Sequence, residues 1–231
     1  MQKHVPSCPH DDSPSEALPK SRSERRREDT RRRLMKATHE IIARRGFEGL
    51  VIQDITEAAD VGYGSFYNHF LSKDAIVSAV TDAARHHLKL VYERLDGQAT
   101  DRAEAFAMDL RMWLHLSKTD KVWGWFMIRT VLSGQELRAG IGGVLKRALY
   151  AGINDGAFKH DDVEMAHEII GGLLLLASLQ LVSAKVDEDY PDKIVSTALR
   201  TLGLTEPTVH RVMSKPLPEL DLPPFLEAAA Q

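Results

Sequence analysis

The sequence predicts an all-α protein of about nine helices. Apolar residues recur with the helical period over most of the 231 residues, and no alternating strand pattern persists beyond a few residues. Glycines and an Asn-Asp-Gly group separate the periodic stretches. The length allows one large domain, or a small domain joined to a larger one.

The N-terminal residues are first polar and then basic. Met1 to about Ser23 is rich in Pro, Ser, Asp and His without periodicity, so residues 1–27 are predicted to form a disordered basic arm. Between Lys20 and Arg45 eleven Lys or Arg stand against four acidic residues, although the whole chain carries a net charge of −3. This asymmetry indicates a polyanion that contacts the N-terminal part. A solvated arm that only keeps the protein soluble is the alternative.

Cysteine and apolar content predict a cytoplasmic protein. Cys8 is the single cysteine and can form no internal disulfide, which fits a reducing compartment. Residues 1–33 contain no apolar run, so we expect no signal peptide. The longest apolar stretch, Ile169–Val182, is shorter than the roughly 20 residues that a membrane span needs. We therefore expect a buried helix there and no membrane contact.

Four helices are predicted in the first 95 residues. The first ends at Gly46 as its C′ residue, and the second is short. The third follows Asp60-Val61-Gly62, and Ser72 is the N-cap of a longer fourth helix that ends near Leu95. Their apolar faces are Leu34, Ala37, Thr38, Ile41 and Ile42 in the first, Ile52, Ile55, Ala58 and Ala59 in the second, and Ile76, Val77, Val80, Ala83, Ala84, Leu88 and Val91 in the fourth.

Five further helices are predicted beyond Asp96-Gly97. They cover 101–117, 120–133, 136–153, 162–185 and 191–202, and Gly203 ends the last. From Thr205 onward five prolines are expected to prevent a helix, so residues 206–231 are predicted to be a Pro-rich tail.

The third helix indicates which motif the N-terminal part forms. Two short helices joined by a tight turn and braced by longer helices form a helix-turn-helix. The turn needs a residue that accepts positive φ, and Asp60 does so at modest cost. Val61 is the apolar plug, Gly62 the N-cap, and Phe66 and Phe70 share the inward face. Gly64 lets backbone approach DNA without a Cβ in the way.

The block "GFEGLVIQDITEAADVGYGSFYNHFLSKDAI" resembles the TetR family of bacterial transcriptional repressors. "GSFYNHFLSKDA" matches the family signature G-T-L-Y-x-H-F-x-x-K-x-x, and the resemblance covers residues 28–88 with the motif at 51–70. It implies a homodimeric repressor that binds a palindromic operator in double-stranded DNA and whose helices in residues 89–205 bind a small-molecule effector and dimerise. The implied DNA-binding residues are Gln53, Tyr63, Gly64, Ser65, Tyr67, Asn68, His69 and Lys73.

The sequence departs from the family pattern at two positions. Val51 stands where the family usually has a Ser or Thr that caps the second helix and touches phosphate. Gly62 replaces a common Ser. Both changes remove a hydroxyl cap, and the first puts one phosphate contact in doubt.

Aromatic and apolar bulk in the C-terminal part predicts an effector pocket, with a plain packed core as the alternative. The candidate lining residues are Trp113, His115, Trp123, Phe126, Met127, Arg129 and Gln180. The helix that carries Gly171-Gly172 and the last helix, with Ala198, Leu199 and Leu202, are the predicted dimer elements. Burial inside one subunit is the alternative for these helices.

Three functions compete. The first is a transcriptional regulator, a repressor released from its operator by a small, largely apolar effector. The alternative is an architectural DNA-binding protein without a ligand, which the long C-terminal part disfavours. An α-helical enzyme is the third, and no nucleophile–base pair or metal-ligand set has recognisable spacing. We therefore predict no enzyme, no catalytic residue, no metal and no cofactor.

Overall fold

A computed structural model of the chain describes residues 21–133, 135–220 and 225, and the side chains of these residues except 135–141. Ten α-helices and no strand occur in this part, which confirms the all-α prediction. Helices α5 to α9 begin and end within two residues of their predicted bounds. The helices are α1 (Arg22–Arg45), α2 (Ile52–Ala58), α3 (Tyr63–Tyr67), α4 (Lys73–Asp96), α5 (Arg102–Thr119), α6 (Lys121–Leu132), α7 (Gln135–Asn154), α8 (Val163–Ser183), α9 (Tyr190–Thr201) and α10 (Glu206–Met213).

Helix α1 begins earlier than the sequence prediction. The Ser21 hydroxyl accepts from the Glu24 N–H, and the Glu24 carboxylate accepts from the Ser21 N–H. This reciprocal capping box satisfies two donors that a helix start otherwise leaves free. Residues 22–27, predicted as part of the disordered arm, are therefore the first turns of α1. The remainder of the predicted arm, residues 1–20, lies outside the described residues.

The three N-terminal helices and the start of α4 enclose one hydrophobic core. Leu34, Ile42, Ile55, Phe66 and Ile76 are each fully buried in it. Helices as short as α2 and α3 are marginal in isolation. Their buried side chains are therefore what holds them against α1 and α4.

Helix α4 joins the two halves of the molecule. Ser72 caps its start, with its hydroxyl accepting from the Ala75 N–H. Its first turns bury Ile76 and Val80 in the N-terminal core, whereas Val91 and Leu95 pack against Met108 on α5. One continuous helix therefore connects both packing regions.

Helix α8 is the centre of the C-terminal part and contacts α5, α6, α7 and α9. By length and composition it is the one helix in the described ranges that could cross a membrane. One side of it is buried through Ala166, Ile170 and Ala177. The opposite side exposes Met165, Ile169 and Leu176.

Two sequence predictions about the chain's end are wrong. Ala198, Leu199 and Leu202 are fully buried within the subunit, so this face of α9 belongs to the core and not to a dimer contact. Residues 206–213 form α10 although they were assigned to the Pro-rich tail. Pro207 stands in the first turn, where its missing N–H costs no helical hydrogen bond.

The segment after α10 returns toward the N-terminal domain. The Lys215 carbonyl accepts from the Arg111 guanidinium at 2.7 Å, and the Lys215 ammonium pairs with the buried Glu104. Leu217 and Leu220 pack on the cluster that α4 and α5 share.

Phe225 completes this return. Its ring lies 4.9 Å from both the His39 and the Trp123 rings, and 6.1 Å from both the His87 and the Phe126 rings. These four residues come from α1, α4 and α6. Phe225 therefore packs where the two halves meet.

Candidate nucleic-acid interface and ligand cavity

The turn between α2 and α3 has the predicted backbone. Asp60 has a φ of 51°, the one positive value at a non-glycine residue in the described chain, which confirms the prediction. Val61 packs against the N-terminal core. Sequence reasoning missed Arg33, whose guanidinium donates to the carbonyls of Ala59 and Asp60 and pairs with the Asp60 carboxylate. Helix α1 thus holds the turn directly.

Helix α3 presents its aromatic residues on two sides. Phe66 and Phe70 are buried with ring centroids 5.9 Å apart, as predicted. Tyr63 and Tyr67 are exposed, and their hydroxyls lie 3.3 Å apart. Gly62 is the N-cap and supplies no side-chain hydrogen bond. The outward side of α3 therefore carries two phenol hydroxyls, and the buried rings of Phe66 and Phe70 hold the inward side.

Gly64 is exposed, and a Cβ at this position would meet no atom within 4 Å. Its φ is not positive, so neither the backbone nor the protein's own packing requires a glycine here. Ser65 beside it is half-buried, and Gln53 on α2 is exposed with its amide donating to Glu57 at 2.8 Å. The surface at Gly64 is therefore open to another molecule.

The first turns of α1 lie beside the end of α3. Arg26, Arg27 and Thr30 line a shallow groove together with Asn68 and His69. Burial, followed by the charges of Arg27 and Arg31, lowers the pKa of His69, so its imidazole stays neutral near pH 7. Sequence reasoning placed Arg26 and Arg27 in the disordered arm. The Ser-x-x-Glu spacing at 21–24 was the signal that could have corrected this.

Lys73 is the first residue of α4 and is half-buried. A cation in the first turn opposes the helix dipole by about 0.3–1 kcal/mol. A phosphate near this helix start would convert that cost into a gain.

A partly open cavity of about 170 Å³ lies between helices α4 to α8. Most of its wall is apolar, and the polar lining groups come from Tyr92, Asp109, Trp113, Ser178 and the His167-Glu168 pair. The apolar lining residues are Leu88, Phe106, Leu110, Ile128, Val131, Gly142, Val144, Leu145, Ala148, Gly171, Gly172, Leu174 and Leu175.

Trp113 is the one predicted pocket residue that lines this cavity. Trp123, Phe126 and Met127 are buried in the N-terminal core, and His115 and Gln180 are exposed. These five predicted lining positions therefore lie outside the cavity.

Arg129 also lies outside the cavity and connects two helices. It donates to the carbonyls of Ala43 and Arg44 at the end of α1, at 3.3 and 3.4 Å. Such contacts satisfy carbonyls that a helix end leaves without a partner. Gly124 does not line the cavity either. A Cβ there would lie 2.6 Å from Val182, at a contact between two helices.

The polar groups of the cavity differ in their hydrogen bonding. The Trp113 indole N–H donates to the Ser178 hydroxyl at 2.9 Å, so these two groups satisfy each other. Burial, and then the charge of Asp96, raises the pKa of Asp109 to about 8. Burial likewise raises the pKa of Tyr92, with Asp109 as the second cause. Both groups are therefore neutral at pH 7.

Comparison with known proteins gives matches to both halves of the chain. Residues 34–80 match the model for bacterial regulatory proteins of the tetR family, and residues 101–215 match the model for the tetracyclin repressor-like C-terminal domain. The crystal structure of RolR in complex with resorcinol is 30% identical, with a TM-score of 0.62, and the match covers 85% of this chain and 98% of that chain. The chain belongs to the TetR family.

Two curated relatives are repressors of this family type. The HTH-type transcriptional repressor DhaR of Mycobacterium sp. (strain GP1) is 34% identical over 95 residues, which are 31% of this chain and 48% of DhaR. NemR of Escherichia coli (strain K12) is 32% identical over 82 residues, 34% of this chain and 41% of NemR. The chain thus matches less than half the length of either relative. As a TetR-family member it is a DNA-binding transcriptional regulator and not an enzyme.

Proposed function

We propose that the protein is a homodimeric repressor that leaves a palindromic operator when a small, largely apolar effector enters the cavity between α4 and α8. One observation supports this most strongly. Helix α4 buries Ile76 in the DNA-binding core and lines the cavity with Leu88 and Tyr92. A ligand in the cavity therefore touches the same helix that supports the helix-turn-helix.

The DNA contacts follow from the sides of α3. Tyr63, Gly64 and Ser65, at its N-terminal end, approach base edges in the major groove, where helix-turn-helix proteins place this end. The exposure of Tyr63 and Gly64, and the open space at Gly64, support this assignment. Gln53 on α2 faces solvent and is free to contact a base once it leaves Glu57.

Phosphate contacts come from four more residues. Tyr67 ends α3, Asn68 and His69 follow it, and Lys73 begins α4. Such polar groups bind sugar-phosphate oxygens in most protein–DNA complexes. The groove that Asn68 and His69 share with α1 contains the guanidinium groups of Arg26 and Arg27. We add these two arginines to the phosphate-binding set, because they supply charge where the backbone of DNA would pass.

The dimer contact that the structure supports lies on α8. Its exposed side carries Met165, Ile169 and Leu176, and a Cβ at Gly172 between them would meet nothing within 4 Å. Large apolar side chains aligned on one helix face mark a contact site. Two copies of α8 that pack around this glycine would form an isologous interface. The protein would act in the cytoplasm, as TetR-family regulators in general do.

The effector acts by preferring one spacing of the two α3 helices. Binding to successive major grooves requires them about 34–36 Å apart. A ligand that favours another position of α4 lowers operator affinity by its differential affinity for the two states. That RolR was crystallised with resorcinol supports a small effector in this cavity.

The test is DNase footprinting on DNA that flanks the gene, followed by titration with candidate effectors. We expect a palindromic footprint, two subunits per site and release on effector binding. An asymmetric site bound by a monomer would overturn the arrangement. Binding to all DNA alike, without response to any small molecule, would favour the architectural alternative.

A further inference from the structure

Two polar groups that line the cavity have no hydrogen-bond partner within the described part of the protein. Neither the Asp109 carboxyl nor the Tyr92 hydroxyl forms a hydrogen bond with any residue in the described ranges. They lie on α5 and α4, on the wall of the same cavity. Both residues are half-buried, and polar groups that are shielded from bulk water are normally hydrogen-bonded. An occupant of the cavity can supply the missing partner.

We propose that the cavity binds a single aromatic ring that carries a neutral hydroxyl group, with Asp109 and Tyr92 binding that hydroxyl. The proposal rests on the effector role of the cavity and specifies its ligand. The size, the wall and the polar groups each support one part of it.

The size of the cavity selects one ring. A dry cavity of about 150 Å³ lined by aliphatic and aromatic residues binds benzene in a well-studied lysozyme variant. The cavity here has about 170 Å³. It therefore accommodates a benzene ring with one or two small substituents.

The charge of the wall excludes organic anions. Among the lining residues there are two carboxyl groups, those of Asp109 and Glu168, and no Lys or Arg. An organic carboxylate that entered would lose its hydration and find no Lys or Arg, which is costly. The His167 imidazole is the one basic side chain among the lining residues. The rest of the wall, including Phe106, Leu110 and Leu174, is apolar and suits a ring.

The polar groups select a hydroxyl. Trp113 and Ser178 satisfy each other, which leaves Asp109, Tyr92 and the His167-Glu168 pair. We assign the hydroxyl to Asp109 and Tyr92. Burial raises the pKa of both groups, whereas Glu168 is exposed. A phenol hydroxyl both donates and accepts, and thus serves a carboxyl and a second hydroxyl together. An ammonium ligand needs an ionised carboxylate, whereas burial keeps Asp109 protonated at pH 7. A neutral hydroxyl avoids that cost.

Isothermal titration of the full chain without DNA tests the ligand class directly. The probes are resorcinol, phenol, toluene and benzoate. We expect resorcinol and phenol to bind, toluene to bind at least about tenfold more weakly because it leaves both polar groups without a partner, and benzoate not to bind. The proposal would be overturned if toluene bound as tightly as phenol, if benzoate bound strongly, or if neither resorcinol nor phenol bound.

Variants assign the two groups. Tyr92→Phe and Asp109→Leu should each weaken the binding of phenol about tenfold and leave the affinity for toluene unchanged. The reason is that each variant removes one hydrogen-bonding group. Asp161→Asn is the control, since this carboxyl is exposed and does not line the cavity. It should leave both affinities unchanged. Circular dichroism of each variant checks folding, and Tyr92→Phe keeps the ring in place. Phenol affinity that is unchanged in Tyr92→Phe and Asp109→Leu would refute the assignment.

The same probes separate this proposal from the effector role. If phenol binds as expected but leaves the operator complex intact, the effector role is refuted and the proposed ligand class stands. Release of the operator by an unrelated compound, with no phenol binding, would refute the ligand class alone.

Discussion

Asp109→Asn should stabilise the protein at pH 8 and have little effect near pH 4. Burial and the charge of Asp96 raise the pKa of Asp109 from 3.8 to about 8. Between these two values the unfolded chain releases a proton that the folded chain keeps, so the free energy of unfolding falls as pH rises. At pH values above the pKa of Asp109 in the folded chain, the free energy of unfolding stays lower by the full amount. Asparagine does not titrate and avoids the loss.

The raised pKa sets the size of the effect. A difference of about four units corresponds to at most ~6 kcal/mol, at ~1.4 kcal/mol per unit. Asp109 faces a cavity that water can enter, and this solvation reduces the penalty. We therefore expect a gain of about 2 kcal/mol in the variant at pH 8.

Urea unfolding followed by circular dichroism at pH 4.5, 6 and 8 measures this difference. Protein concentration must be constant, because subunit dissociation contributes to the unfolding of a dimer. Gln180→Ala is the control, since it changes an exposed side chain that does not titrate. A difference between Asp109→Asn and wild type that is the same at all three pH values would refute the reasoning.

Three further predictions concern other parts of the molecule. Lys73→Ala should weaken binding to every DNA sequence and lower the slope of log affinity against log salt by about one unit, whereas Lys118→Ala on α5 should not. Leu176→Glu should give folded monomers in sedimentation experiments, and a dimer that persists would place the interface elsewhere. Phe225→Ala should lower the free energy of unfolding by ~1–2 kcal/mol, because it empties a half-buried aromatic site; an unchanged value would show that the ring is not packed in solution.

Much of the fold followed from local signals. Asp101, Asp120 and Asp162 cap α5, α6 and α8, and these caps lie where the periodic stretches begin. The turn conformation at Asp60 followed from the few residue types that tolerate positive φ. Each of these signals is contained within a few neighbouring residues, which is why the sequence sufficed.

The errors have equally local causes. The start of α1 was missed because a polar, basic stretch with a capping box resembles a disordered arm in composition. Helix α10 was missed because Pro207 was taken as a helix breaker, although a first-turn proline is favourable.

The cavity could not be located from one helix at a time. Its wall comes from five helices, and the periodicity of each helix shows which face is apolar but not how far apart two such faces lie. Trp123, Phe126 and Met127 are as apolar as the true lining residues, yet they pack in the N-terminal core. The volume and the pair of Asp109 and Tyr92 depend on how the helices are arranged in space.

The position of Phe225 affects how the protein is made. Its ring packs on His39, which the ribosome synthesises 186 residues earlier, and the same cluster contains residues of α4 and α6. Domains near the N-terminus generally fold first during synthesis. Here the helix-turn-helix core and its contact with α6 can form early, and the Phe225 ring is added to this junction later. A chain released by premature termination after α10 would retain α1 to α4 and α6 and lack the Phe225 ring at the junction.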